Sequence, residues 1–334
     1  MNLVQRSVSR GGQLAPLLLP AEITNGTGLM NPSIFIDDDG DILVNLRHVN
    51  YTLYHSENTQ KFPSKWGPLS YLHPETDAVL ATTNYLCRLN SNLEMTDYAK
   101  VDTSAFDVTP MWEFTGQEDC RVVQWDGDYY LIGVRRDTTT TGVGRMEYSK
   151  LSIDKSTWRV QEFGRLRIPA PGADESYCEK NWVPVLDKPY NFIKWHSPVE
   201  QVYADPTKAH TEQVKVEQGI QPPIDQRGGS QLIPWADGYI SITHEVTLFK
   251  NYLGLKDGIY RHRLCVWDKD LKLIGLSQQP FSFLDARIEF CTGLAQKGDD
   301  VLISFGFQDN AAFVLQAPGT LIEEMRIEAL TYGN

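Results

Sequence analysis

What most constrains the fold of this chain is a weak internal repeat. Five segments each begin with polar residues and continue with a run of strand formers, a tight turn and a second such run. They span residues 31–47, 118–134, 179–195, 227–244 and 289–305. Four of the turns carry Asp39-Gly40, Asp126-Gly127, Asp237-Gly238 or Gly298-Asp299, and the other carries Lys188-Pro189. Asp and Gly tolerate the positive φ angles of tight hairpin turns, so each segment reads as a β-hairpin. The intervals between the starts leave room for two more strands per unit, and 146–153 and 260–267 read as outer strands. Long stretches of helical period are almost absent. Five units of about four strands predict an all-β chain, a five-bladed β-propeller over 1–334 as a single domain, in preference to a β-sandwich or two small β domains. Residues 1–25 are expected to wrap or close the ring. Residues 321–330 read as a short helix or closing strand, and 205–226, rich in Pro and Gln, as a loop. The acidic run Asp37 to Asp41 lacks calcium-loop spacing and reads as a solvated hairpin tip.

Composition narrows the function classes. Among 334 residues, 31 Lys and Arg stand against 43 Asp and Glu, a net charge of −12. Such a chain repels a phosphate backbone or an anionic membrane unless its cations are gathered in one place, so nucleic acid is a disfavoured partner. Five widely spaced cysteines with no CxxC pair support neither a disulfide framework nor a zinc site, and a cytoplasmic setting is expected. The apolar stretch 15–19 ends at Pro20 and is too short to span a membrane. The phosphate-loop, dinucleotide, HExxH and GxSxG patterns are all missing.

In a propeller the inner strands run in one sense, so the starts of the five repeats meet at one mouth of the central channel. That brings together Asn31, Glu118, Asp119, Arg121, Glu179, Lys180, Asn181, Trp182, Arg227, Gly228, Gly229, Ser230 and Glu289. Carboxylates bind hydroxyls or move protons, cations hold phosphate, and an indole packs on a sugar ring, so the set reads as a sugar and phosphate site. Taken singly, each has a plainer reading. Asp119 with Arg121 is an ordinary ion pair, Gly228-Gly229 a tight turn, Trp182 a core residue and His244 a satisfied histidine.

As an ordered set, Asn31-Pro32-Ser33, Glu118-Asp119-Cys120-Arg121, Lys180-Asn181-Trp182, Gly228-Gly229-Ser230 with His244, and Glu289 with Gly293 and Asp309 resemble the five-bladed propellers of glycoside hydrolase family 130. They also resemble glycosyltransferase family 108, whose members make or phosphorolyse β-mannosides. The resemblance covers about 31–313. It implies that Asp119 is the proton donor in bond cleavage and the base in synthesis, in a reaction that inverts the anomeric carbon. Two departures stand out: Cys120 replaces the proline of the Glu-Asp-Pro-Arg pattern, and Arg227-Gly-Gly-Ser-Gln replaces a Gly-x-Gly-x-Pro-Pro loop. The strings Asn45-Leu-Arg47, Asn50-Tyr51, Thr83-Asn84-Tyr85-Leu86 and Gly133-Val-Arg-Arg-Asp137 look closer to a propeller subgroup associated with bacterial glycosyltransferases.

Cations carry the argument one step further. Arg47, Arg121, Arg135, Arg136, Lys180, Arg227, His244, Arg261 and Arg263 fall in or beside the inner segments, more positive charge than a hydrolase requires. The expected activity is therefore inverting glycosyl transfer between a phosphate-bearing donor, either a nucleotide sugar or a sugar 1-phosphate, and a carbohydrate or other hydroxyl acceptor. This is a glycosyltransferase in the broad sense that includes glycoside phosphorylases, with no cofactor and no metal expected. Asp119 is the expected catalytic residue. Substrate contacts are expected from Asn31, Arg47, Asn50, Glu118, Arg121, Arg136, Lys180, Asn181, Trp182, Arg227, Gly228, Gly229, Ser230, His244, Glu289 and Asp309. Two alternatives stay open. An inverting glycoside hydrolase would need a second carboxylate such as Glu289 at roughly 6.5–9.5 Å from the first. A non-catalytic carbohydrate-binding propeller would use Asp119 only structurally. Trp112, Tyr177 and Trp182 are available aromatics for a nucleotide base.

Overall fold

Four-stranded antiparallel sheets repeat five times along the chain, the arrangement of a five-bladed β-propeller. The computed structural model describes residues 1–24, 28–51, 62–64, 67–69, 79–171, 178–208, 210–250 and 256–331. The first blade pairs Leu29–Ile36, Ile42–Val49, Leu80–Leu89 and Met95–Lys100, with Phe114–Thr115 added in parallel to Leu80–Leu89. The second holds Gln117–Trp125, Asp128–Arg135, Arg145–Asp154 and Arg159–Arg167. Val183–Pro184, Asn191–His196, Val199–Tyr203 and Glu212–Glu217 make the third. Ile233–Trp235, Gly238–Lys250, Lys256–Trp267 and Leu273–Leu276 make the fourth. The fifth combines Glu289–Lys297, Asp300–Phe307 and Ala311–Ala317 with Gln13–Pro16 from the start of the chain. That last pairing, Gln13 to Pro16 against Gln316 to Phe313, closes the ring by joining the start of the chain to its last blade as the outer strand.

Turn chemistry explains the hairpins. Asp126 and Gly127 sit at φ 53° and 82°, so both central positions of that turn are left-handed, and Asp-Gly accepts this at little cost. Two readings change. Residues 212–217 are a strand rather than part of a loop, completing the third blade against Val199–Tyr203. The Asp37 tip is not simply solvated: Asp37 is buried, and Lys155 bonds Asp37 and Asp39 at 2.6 Å each while pairing with Asp41 at 2.9 Å. Burial pushes the Asp37 carboxyl up, but Lys155 and the Tyr129 hydroxyl outweigh it and hold its pKa below the ordinary value.

Apolar residues fill the spaces between blades, which is where strand alternation sends every second side chain. One cluster joins Trp125, Tyr130, Tyr148, Trp182 and Phe192 of the second and third blades, and another joins Ile242, Leu264, Cys291, Ile303 and Phe305 of the fourth and fifth. Nearer the axis the inner strands are cross-linked by buried polar groups. The Val122 amide donates to Ser33 Oγ at 2.9 Å, and Thr292 Oγ1 donates to the Pro32 carbonyl at 2.8 Å. Gln231 bridges two blades, donating to the Ile34 carbonyl at 2.7 Å and accepting from the Leu294 amide at 3.1 Å. These bonds fix the blades to one another directly beneath the mouth where the site lies. No helix among the described residues is long and apolar enough to cross a membrane.

Candidate active site

In an antiparallel blade the start of the inner strand and the end of the second strand lie at the same face of the ring. Register puts Met30 beside Arg47, Glu118 beside Val134 and Arg227 opposite His244. These ends surround a pocket of about 290 Å3 lined by Met30, Asn31, Arg47, Tyr51, Trp112, Phe114, Glu118, Asp119, Arg136, Lys180, Asn181, Arg227, His244, Tyr260, Phe290 and Asp309. Ten of the expected site residues are among them: Asn31, Arg47, Glu118, Asp119, Arg136, Lys180, Asn181, Arg227, His244 and Asp309.

Four of these ten sit in the left-handed backbone region: Asn31 at φ 46°, Asp119 at 49°, Asn181 at 61° and Asp309 at 50°. Asn and Asp occupy that region more easily than other side chains. At Asn31 and Asp119 the ladder slips register as well, the sign of a bulge that re-aims a side chain.

Asp119 is the centre of the polar network. Its Oδ1 accepts from Arg47 and from the Asn31 amide, both at 2.7 Å. Arg47 also donates to Thr82 Oγ1 at 3.2 Å and to the Tyr51 hydroxyl at 3.3 Å, and lies 3.6 Å from Glu118 Oε2. Burial pushes the Asp119 carboxyl up, but Arg47, the Asn31 hydrogen bond, Arg121 and Lys180 together hold its pKa below the ordinary value, so it is ionised near neutrality. Asp309 goes the other way. Burial and the neighbouring charge of Asp119 outweigh Arg47 and bring its pKa up to about 6. Two carboxyl groups with separated pKa values thus share one pocket, the arrangement from which acid and base roles are built.

Across the pocket the charge is positive. Glu118 holds Arg136 at 3.3 Å, but among the described residues Lys180 and Arg227 have no carboxylate within ion-pairing distance. His244 is buried, stacked on Tyr260 at 5.4 Å and edge-on to Phe290 at 4.6 Å. Burial and the charges around it keep its pKa well below the ordinary value, so it is neutral.

Seven expected contacts do not line this pocket. Arg121 is buried beneath it, donating to the Gly229 carbonyl at 2.9 and 2.6 Å, to the Asp119 carbonyl at 2.7 Å and to Asn181 Oδ1 at 3.3 Å. It fixes the backbone that carries two site residues. Trp182 and Glu289 face away from the pocket: Trp182 follows the left-handed Asn181 and packs into the core, and strand alternation presents Phe290 in place of Glu289. Trp182 is core, its Nε1 donating to Glu179 Oε2 at 2.8 Å. Glu289 is fully buried and accepts the Phe283, Leu284 and Ala286 amides at 2.6, 2.7 and 2.9 Å, so it serves that turn and not a water nucleophile. Asn50 ties two strands, donating to the Val79 carbonyl and accepting the Ala81 amide. Ser230 Oγ accepts the Ile242 amide at 2.9 Å inside the ring. Gly228 and Gly229 permit close backbone packing: a Cβ would stand 1.8 Å from the Asn181 carbonyl oxygen at the first and 2.2 Å from that of Ile242 at the second.

Of the remaining expected cations, Arg135 is neutralised by Glu147 and Asp137, and Arg263 by Glu245. Arg261 donates to the Tyr260 and Ala286 carbonyls outside the pocket. The aromatic wall of Tyr51, Trp112 and Phe114, together with Tyr260 and Phe290, was not expected as a unit. In the sequence only the adjacency of Tyr51 to Asn50 and the availability of Trp112 as an aromatic point to it. Tyr177 lies outside the described residues.

No protein-family model matches the chain, and no curated protein matches it by sequence. Solved structures do. A β-1,2-mannobiose phosphorylase from Listeria innocua, in complex with β-1,2-mannobiose, superposes with a TM-score of 0.58 at 15% identity, over 95% of this chain and 97% of that one. A glycosyl hydrolase from Bacteroides ovatus gives a TM-score of 0.59 at 12% identity, over 88% and 85%. A structure described with the family 130 mannoside phosphorylases and the glycoside hydrolases among them gives 0.58 at 12%, again over 88% and 85%. Over nearly its whole length, then, the chain has the five-bladed propeller fold of these carbohydrate-active proteins.

Proposed function

We propose that the chain is an inverting glycosyltransferase in the broad sense, moving a hexosyl group between a phosphate-bearing donor and a hydroxyl acceptor. The observation that supports this reading is one pocket that holds an ionised Asp119 together with two cations, Lys180 and Arg227, that have no carboxylate partner among the described residues. Asp119 is bonded to Asn31 and Arg47 of the first blade. Lys180 and Arg227 stand at the starts of the third and fourth. Asp119 itself stands on the second blade, and its carboxylate and the two cations line the same pocket, near enough for the Lys180 charge to act on Asp119. A sugar bound between Asp119 and the two cations has its anomeric carbon flanked by a base on one side and a phosphate holder on the other.

The acceptor oxygen forms the new bond to the anomeric carbon and gives its proton to the Asp119 carboxylate. The bond to the phosphate oxygen breaks, and that oxygen leaves with the electron pair while Lys180 and Arg227 absorb its charge. Because entry and departure lie on opposite faces, configuration inverts. Run in reverse, protonated Asp119 is the acid and inorganic phosphate the nucleophile. Asn31 and Arg47 position Asp119, while the Tyr51, Trp112 and Phe114 wall offers an apolar face to a sugar ring. A mannoside is the expected sugar class, on the strength of the mannobiose-bound structure of the same fold. Five unpaired cysteines, four of them buried, fit a cytoplasmic setting.

A hydrolase has one observation in its favour. Besides Glu118, which Arg136 and Arg47 hold, Asp309 and not Glu289 supplies a further carboxyl in the pocket, with its pKa near 6. A melting screen with inorganic phosphate, mannose 1-phosphate and nucleotide sugars separates the readings. A ligand present at one hundred times its dissociation constant stabilises the native state by about 2.7 kcal/mol. Glycosyl transfer requires a phosphate-bearing ligand to bind, and requires Asp119→Asn to abolish turnover with that binding retained. Unchanged turnover in Asp119→Asn refutes the mechanism.

A further inference from the structure

A second cavity of about 190 Å3 adjoins the first at the junction of the third and fourth blades. The two share Lys180, Asn181 and Arg227, and the outer one continues to Cys178, Glu179, Lys194, Trp195 and Gly228. A phosphate held by Lys180 and Arg227 therefore stands between two compartments. The sugar occupies the inner one, and whatever is esterified to the far side of the phosphate enters the outer one.

The outer compartment has a distinctive chemistry. Trp195 is half-buried and is among the residues that line it, and an indole is one of the side chains on which a flat heterocycle stacks. Glu179 is only 3% exposed, and its Oε2 is occupied by the Trp182 indole N–H at 2.8 Å. Among the described residues its other oxygen, Oε1, is buried and accepts no hydrogen bond; Lys194 Nζ pairs with it only at 3.6 Å and bonds Glu200 Oε2 at 3.1 Å. A buried carboxylate oxygen lacking a donor is costly unless a ligand supplies one, and a ribose hydroxyl does so. Inorganic phosphate, or the phosphate of a sugar 1-phosphate, would leave both Glu179 Oε1 and the indole unused.

We propose that this outer cavity is a nucleoside subsite, with the ribose on Glu179, the base on Trp195 and the diphosphate across Lys180 and Arg227, so that the donor is a nucleoside-diphosphate sugar. The inference rests on the phosphate-bearing donor proposed above and names its class. It is tested by calorimetric titration of the intact protein with ADP, GDP, UDP, CDP and inorganic phosphate, on the wild type and on Trp195→Ala, Trp195→Phe and Glu179→Gln. At least one nucleoside diphosphate is expected to bind about ten- to a hundredfold more tightly than phosphate, the worth of one base on one aromatic ring. Trp195→Ala is expected to erase that margin with phosphate affinity unchanged, Trp195→Phe to restore most of it, and Glu179→Gln to weaken the diphosphate alone. If phosphate binds and every diphosphate is no tighter, or if Trp195→Ala leaves the margin intact, the subsite is refuted while the phosphate site stands. If neither phosphate nor any diphosphate binds, the donor reading itself fails. The retained phosphate affinity of each variant shows that it is folded.

Discussion

Replacing Arg47 by methionine tests whether Asp119 is the base that the pocket keeps ionised. The substitution keeps an unbranched apolar stem and removes the guanidinium that bonds Asp119 at 2.7 Å, with only 6% and 15% of the two side chains exposed. An opposite charge at such a distance shifts a carboxyl by about 1–3 pH units, so the Asp119 pKa should rise by that much. On the acidic limb of a pH profile of kcat/KM each unit is a tenfold loss at fixed pH, and the loss should vanish at alkaline pH where Asp119 ionises again. The titration can be read without substrate from the carboxyl 13C resonance of Asp119, assigned by its loss in Asp119→Asn. Stability supplies a second readout. In the wild type the depressed pKa stabilises the fold above the unfolded value of about 3.9, and that contribution fades as pH falls through the folded pKa. With the pKa raised the sign reverses: the contribution is present at low pH and lost as pH rises. The variant should therefore be about 3–5 kcal/mol less stable at pH 7, the cost of stranding one partner of a buried pair, and the gap should narrow on acidification. A variant that loses activity equally at every pH, with the Asp119 resonance titrating as before, would refute the assignment.

Two further outcomes follow from the same structure. Gly229→Ala drives a Cβ to 2.2 Å from the Ile242 carbonyl oxygen and 3.0 Å from that of Cys291, whereas Gly164→Ala meets only the Lys150 Cβ at 3.5 Å. Urea unfolding should show a loss of about 3 kcal/mol for the first and nearly none for the second. His196 and His262 are buried, which pushes their pKa values down to about 4 and about 3. Both stay neutral in the fold while the unfolded chain takes up protons below about 6.5, so stability should fall from that pH down to about 4. The slope is at most about 1.4 kcal/mol per unit for each histidine, and melting curves of His196→Phe should show a shallower acid slope if the assignment holds.

The blades were legible because they rest on local chemistry. Asp-Gly turns between alternating runs specify hairpins whatever the surroundings, and five of them leave few closed arrangements. Strand 212–217 escaped because its alternation, Val214-Lys215-Val216-Glu217, is only four residues long in a polar surrounding, and on this exposed edge both valines face solvent, so no apolar face marks it. At the site, proximity to the repeat starts could be read, but the direction of each side chain could not. Naming Glu289 in place of Phe290 ignores the period-two alternation that sends strand neighbours to opposite faces. At the left-handed positions alternation gives no guide: Glu118 with Asp119 and Lys180 with Asn181 are neighbours that both line the pocket, while Trp182 turns into the core. The aromatic wall was hidden for another reason. Trp112 and Phe114 come from the link between the first and second blades, outside any repeat.

One class of position was doubly informative. Asn31, Asp119, Asn181 and Asp309 combine a left-handed backbone with a side chain in the pocket. The polar groups that make sugar chemistry possible are those whose short side chains also tolerate positive φ, so one residue type satisfies the bulge and the site together. Substituting alanine at such a position therefore removes two things, and activity loss alone cannot assign a role. Exchanging Asn for Asp, or Asp for Asn, keeps the backbone preference and changes only charge. In this fold the informative variants are Asp119→Asn and Asp309→Asn: the first should abolish proton transfer, while the second should leave the Asp119 carboxyl free of a neighbour that is half charged near pH 6. If Asp309 does couple to Asp119 through space, it is the Asp309 pKa that moves: Asp119→Asn will lower it from about 6, because Asp119 is charged while Asp309 titrates, and a 13C titration of Asp309 that shows no movement would separate the two carboxyl groups.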